Sequence, residues 1–268
     1  MSTAAEPRWP AWFGPVALAL GLIAGIVGGV IAVIVIQGGK TAGNTLTPLE
    51  TDVATVIQDL AFACVAIFLA SRVAPVRPRQ FGLRLPRSRA RAAGVAIGVL
   101  LAFYAISVLW FALVNSSGKE TEFVKEIGGR DGTLAVLGVC ALTTVLAPIC
   151  EELLFRGFIF RSLSSWRGPW PAALVTGLLF GGVHGLSAPA VDLLPLAVLG
   201  VGLCAVYQWT GSLYPCIAMH AVNNAIALGG DENWAWRTVE LAVGALAVVA
   251  LLLWCVRLAS ARWEPATD

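Results

Sequence analysis

The sequence predicts an all-α fold, a polytopic transmembrane helical bundle of about eight spanning helices with a polar cavity in its cytoplasmic half. Three observations predict it. Hydrophobic residues make up 58% of the 268 and charged residues only 13%, about half the charged share of a soluble domain. That leaves too little polar surface to wet a globule of this size. The apolar residues also fall in long runs, and a spanning helix needs about 20 of them. The arginines, finally, are gathered into the connections between those runs.

Taken in order, the candidate spans are 13–37, 52–74, 92–115, 133–163, 171–187, 192–209, 213–229 and 238–258. The first exceeds the roughly 7–15 residue apolar core of a signal peptide and reads as a span. The fourth is too long for one simple crossing, and its charged Glu151, Glu152, Arg156 and Arg161 place its last turns beyond the hydrocarbon. The fifth to seventh are short and glycine-rich. Residues 1–12 then form an N-terminal cytoplasmic segment, 13–258 the integral membrane domain, and 259–268 a cytoplasmic tail.

Orientation follows from the basic connection between the second and third spans. It holds Arg72, Arg77, Arg79, Arg84, Arg87, Arg89 and Arg91 with no acid among them, so it belongs on the cytoplasmic side. The same parity puts both termini in the cytoplasm and the acidic stretches 120–131 and 231–232 outside. A net charge of +2 gives no basic field, which excludes nucleic acid as a partner. The six cysteines all lie in apolar segments with no close CxxC pair. They read as small buried hydrophobes rather than a disulfide framework.

Ionisable groups inside a span are costly and mark function by default. Glu151 and Glu152 are adjacent, so their side chains leave the helix about 100° apart. Glu152 and Arg156 are spaced i, i+4 in the favourable order for an ion pair. That pairing neutralises Glu152 and leaves Glu151 facing a cavity. Pro148, one turn earlier, loosens the helix backbone. Phe180 and His184 share a face at i, i+4. Gly177, Gly181 and Gly185 make a seam for close helix approach. His220 and Asn224 share a third face. The two histidines are the only ones in the chain. By rise per residue, His220 lies about 10 Å and His184 about 20 Å from the starts of their helices. Asp59, beside Gln58 in the second span, reads as half of a polar packing pair.

A carboxylate and an imidazole facing one water make it a nucleophile. Glu151 with His184 can activate that water, while His220 with Asn224 stabilises the oxyanion. This is the layout of an intramembrane endopeptidase. The same groups admit zinc, since Glu151, His184 and His220 match one common catalytic zinc set, although no HExxH motif is present. Two other classes use the same residues. One is a transporter or channel passing protons along intramembrane Glu, His and Asp groups. The other is a non-catalytic membrane scaffold.

The motifs EExxxR (Glu151, Glu152, Arg156), FxxxH (Phe180, His184) and HxxxN (His220, Asn224), with Gln80-Phe81-Gly82-Leu83 before the third span, resemble the CPBP family of intramembrane proteases. That family includes the type II CAAX prenyl endopeptidases and bacteriocin-processing or self-immunity proteins. The resemblance implies a protease core at about 92–229 with a cavity open towards the cytoplasm. It implies Glu151 as catalytic carboxylate, His184, His220 and Asn224 as its partners, and Glu152, Arg156 and Phe180 as support. Members are often called metalloproteases, and a metal-free, glutamate-dependent mechanism is also held for them; we favour the latter, with no cofactor. The Ala-, Gly-, Arg- and Trp-rich composition reads as bacterial, where prenylated substrates are not expected. The expected partners are therefore the bilayer of the plasma membrane and a membrane-associated peptide or protein substrate.

Overall fold

The computed structural model describes residues 9–39, 46–115, 133–231 and 234–261. Among these, eight helical rods account for the fold and no strand is present: α1 (Phe13–Ile36), α2 (Pro48–Ser71), α3 (Arg89–Leu113), a composite α4 over 133–167, α5 (Pro169–Val183), α6 (Leu193–Thr210), α7 (Tyr214–Asp231) and α8 (Arg237–Ala261). Six stretches are long and apolar enough to cross a membrane, while α5 is a shorter apolar helix. The acidic segment 120–131, Glu232 and most of the expected tail lie outside the described residues.

Helix boundaries follow local chemistry. Helix α2 starts four residues before its apolar run because Thr47 and Glu50 close a capping box ahead of Pro48. The Glu50 carboxylate accepts from the Thr47 N–H at 2.8 Å and from Gln37 Nε2 at 2.9 Å. A polar first turn conceals a helix start from any search based on hydrophobicity. Gly168, at φ +83°, allows the sharp reversal from α4 into α5. Helix α5 then has 15 residues and ends at Val183, so His184 opens a short 3₁₀ turn instead of sitting inside the helix.

The rods pack as α1 on α2, α2 on α4, α5 on α6, α3 on α6 and α7 on α8, with α7 also touching α3, α4 and α6. The expected small-residue seam is the α5–α6 contact. A Cβ on Gly177 would lie 2.8 Å from Ala197 O, and one on Gly181 2.6 Å from Leu193 O. Gly185 falls past the helix end and makes only ordinary contact. The outward faces of α1, α3 and α8 carry exposed Ile, Leu and Val, as a lipid-facing surface does. Trp12, Trp166, Trp170 and Trp209 are exposed at one end of the bundle, the end that carries the arginine-rich connection. Tryptophan collects at membrane–water interfaces. Four cysteines are buried as expected, whereas Cys64 and Cys255 are exposed on the outer faces of α2 and α8.

The Gln80-Phe81-Gly82-Leu83 stretch clamps the arginine-rich connection onto the core. Phe81 packs against Trp9 and Phe158. Gly82, at φ +88°, turns its carbonyl to the Leu213 N–H at 2.8 Å. Phe81 O accepts from the Tyr207 hydroxyl at 3.3 Å.

Candidate active site

Helix α4 carries the carboxylates, and its backbone is irregular on both sides of them. Residues Leu142–Leu146 and Phe155–Phe160 are π-helical, with an α-helical stretch Ala147–Leu154 between. Such insertions are rare and favour functional positions. Pro148 accounts for the first. The Ala147 N–H bonds to Leu142 O, so the Thr143 carbonyl must look one residue further for a donor, to Pro148, which has no N–H. Asn224 on α7 supplies the donor, its Nδ2 bonding to Thr143 O at 2.9 Å. A proline-made defect in one helix is thereby filled by a side chain from another.

Glu152 and Arg156 are fully buried and joined at 2.8 Å. Arg156 also donates through Nη2 to Gly200 O at 3.1 Å, and its guanidinium lies 4.5 Å from the Phe180 ring centroid. Glu152 does more than the expected pairing. The same Oε1 accepts from His220 Nδ1 at 2.9 Å. With Nδ1–H committed there, His220 presents Nε2 to Glu151 Oε2 at 3.9 Å, too far for a direct hydrogen bond. Both donors of Glu152, one on its own helix and one on α7, meet this one oxygen, while Oε2 is buried without a hydrogen-bond partner.

His184 is fixed in a parallel way. Its Nδ1–H donates to Phe180 O at 2.7 Å, leaving Nε2 available. Phe180 is wholly buried, with its ring centroid 5.0 Å from that of His184 and 5.7 Å from that of His220. One aromatic ring thus buttresses both imidazoles and covers the Arg156 cation.

Glu151 and His184 line one cavity of about 980 Å³, together with Asp59, Gln58 and Ser187. Its remaining walls are largely apolar faces of α1 and α2. Its lining uses the C-terminal part of α1, the first half of α2 and the end of α5, out to Gln37, Leu46 and Thr51. These segments lie towards the end of the bundle opposite the arginine-rich connection. Helix α5 carries His184 at that end, just past Val183.

Among the described residues, no three His, Cys, Asp or Glu side chains are gathered closely enough to hold a metal ion. Glu151, His184 and His220 do not form one coordination sphere, and two of their four imidazole nitrogens are already hydrogen-bonded to protein oxygens.

The structure brings Glu151, Glu152, Arg156, Phe180 and His220 into direct or near contact and places His184 on the cavity of Glu151. Asn224 bonds to Thr143 and to Asn223, not to His220. Of the polar pair in α2, Gln58 packs across helices as expected, while Asp59 diverges from it. Gln58 reaches back to Gly21 O at 3.2 Å, over a site on α1 where a Cβ at Gly25 would clash with it. Asp59 faces the cavity instead. The sequence signal for this was its isolation, a single carboxylate in the middle of an apolar span.

Residues 133–226 match the model of a family described as Type II CAAX prenyl endopeptidase Rce1-like. The matched stretch runs from the start of α4 into α7 and contains all three motifs, in agreement with the CPBP resemblance. No curated protein and no solved structure matches the chain.

Proposed function

We propose that this protein is an intramembrane endopeptidase, CAAX-protease-like in its core, that hydrolyses peptide bonds of membrane-associated peptides or proteins. The observation that carries the reading is Glu151. Its Oε2 is buried without a hydrogen-bond partner on the wall of a large cavity, with an oriented imidazole 3.9 Å away, inside the Rce1-like segment.

Glu151 takes a proton from water, and the water oxygen attacks the scissile carbonyl. His184, with its Nδ1–H held by Phe180 O, offers Nε2 on the same cavity as an acceptor that can relay the water's proton from Glu151. His220, its Nδ1–H anchored by Glu152, donates to the developing oxyanion from Nε2–H when the ring carries its second proton, and the second N–H of the Asn224 carboxamide adds to it. Glu151 then passes its proton to the leaving amine. The largely apolar walls suit a substrate that arrives from lipid, and no step is routed through a metal.

The arginine-rich connection supports a cytoplasmic placement of that end and of both termini, in a bacterial plasma membrane. The cavity then opens towards the opposite leaflet. Cysteine labelling of Gln37→Cys and Arg87→Cys variants in intact cells tests this, with only the former reached from outside.

The function is tested by incubating purified protein in lipid nanodiscs with internally quenched peptides, one farnesylated and one carrying an unmodified apolar segment. Wild type cleaves at least one, while Glu151→Gln lowers kcat by about 10²–10⁴-fold. Equal cleavage by the two would remove Glu151 from the chemistry.

A further inference from the structure

Asp59 stands outside all three motifs and outside the family-matched segment. It lies on α2, 3% exposed, and its Oδ2 has no hydrogen-bond partner although it is fully shielded from solvent. A buried carboxylate oxygen without a donor costs free energy and calls for an explanation. Gln58, its neighbour in sequence, does not supply one, being drawn away to Gly21 O.

Glu151 Oε2 is likewise buried without a partner, as are Glu152 Oε2, Asp52 Oδ1 and Gln37 Oε1; of the carboxylates among these, Glu151 is the one that lines the cavity with Asp59. Both side chains line the same cavity, and α2 packs directly on the α-helical part of α4. Asp59 and Glu151 lie within coulombic range of one another. Two acceptors without donors, converging from two helices, match the two O–H bonds of a single water molecule.

Resting on the peptidase reading, we propose that Asp59 is a further active-site carboxylate: Asp59 Oδ2 and Glu151 Oε2 together hold the attacking water. One O–H bond points at each acid. Glu151 removes its proton as the oxygen bonds to the carbonyl carbon. The other O–H stays on Asp59 and fixes the direction of the remaining lone pair. When the C–N bond breaks, the proton on Glu151 goes to the amine nitrogen. The new carboxyl group keeps the hydroxyl, and both acids return to their starting state.

The titratable groups facing Asp59 are few. Glu151 and Cys150 face it from α4, and His184 stands across the cavity. Helix α1 contributes glycines, apolar side chains and Gln37 to the lining, none of them titratable. Two carboxyls around one water titrate as a coupled pair, in two macroscopic steps.

Infrared difference spectroscopy of the carboxyl C=O band, on the full chain in nanodiscs across a pH series, tests this without any substrate. Wild type shows two linked steps, and Glu151→Gln and Asp59→Asn each leave one step displaced from both. With the same two fluorogenic peptides, Asp59→Asn lowers kcat by about 10²-fold, at the low end for proton-transfer catalysis, leaves KM unchanged and alters the pH–rate profile. Asp59→Glu recovers part of the loss. Independent titration in wild type, unaltered by Glu151→Gln, overturns the proposal even if Asp59→Asn does not fold. So does an Asp59→Asn protein with wild-type kcat. If wild type cleaves neither peptide, the peptidase reading and the water's catalytic role both fall, while the titration still decides whether the two acids share a site.

Discussion

Glu152 holds His220 by its Nδ1, at 2.9 Å, with the same carboxylate oxygen that pairs with Arg156 at 2.8 Å. That oxygen ties α4 to α7 and selects which imidazole nitrogen faces Glu151. Neighbouring glutamates on one helix therefore divide the work, one positioning a histidine and one facing the cavity.

The division predicts different phenotypes for the same change at adjacent positions. Glu152→Ala strands a buried guanidinium and should destabilise the fold by about 3–5 kcal/mol. Glu151→Gln removes no hydrogen bond and should leave the fold intact. Thermal unfolding in detergent separates them; equal melting temperatures for the two variants would contradict the assignment.

Phe180 supports both imidazoles and the Arg156 cation. Phe180→Ala should cost about 3–5 kcal/mol, the usual range for emptying a buried aromatic site. Phe180→Leu fills most of the volume but loses the cation–π contact and the edge of His220. Its stability should fall by about 1–2 kcal/mol, while its kcat falls further than the melting shift accounts for. Parallel melting and kinetic measurements check this.

Pro148 leaves Thr143 O without a helical donor, and Asn224 fills the position. Pro148→Ala restores an N–H that competes with Asn224 for the carbonyl. Released, Asn224 no longer keeps α7 in register against α4. Peptide cleavage should drop although the helix itself becomes more regular and no less stable. Asn224→Ala, by contrast, should lose about 1–3 kcal/mol through the unsatisfied carbonyl as well as activity.

Under the metal-free reading, cleavage persists after dialysis against a strong chelator, and metal analysis of active protein finds no stoichiometric zinc. Chelator-sensitive cleavage restored by zinc alone would replace the mechanism and keep the enzyme class.

Much of the fold was legible because lipid imposes a coarse rule. Each rod must be long, apolar and internally hydrogen-bonded, and all eight rods are visible as apolar runs. Local pairs were legible for a similar reason: Glu152 with Arg156 and Phe180 with His184 are four positions apart, the latter pair meeting across the end of α5. What escaped depends on how rods dock. The bond from Glu152 to His220 spans 68 positions and that from Asn224 to Thr143 spans 81, and no periodicity encodes either. Adjacent helical residues point about 100° apart, and only the docking of α1 on α2 decides that Gln58 bonds across while Asp59 turns to the cavity.

That helix, α5, rises only about 22 Å over its 15 residues, against roughly 30 Å of hydrocarbon. Such a mismatch is met by local thinning of the bilayer. On the proposed peptidase reading, a bilayer thinned beside His184 brings a polypeptide substrate to Glu151 and His184 without dragging it to the middle of the lipid.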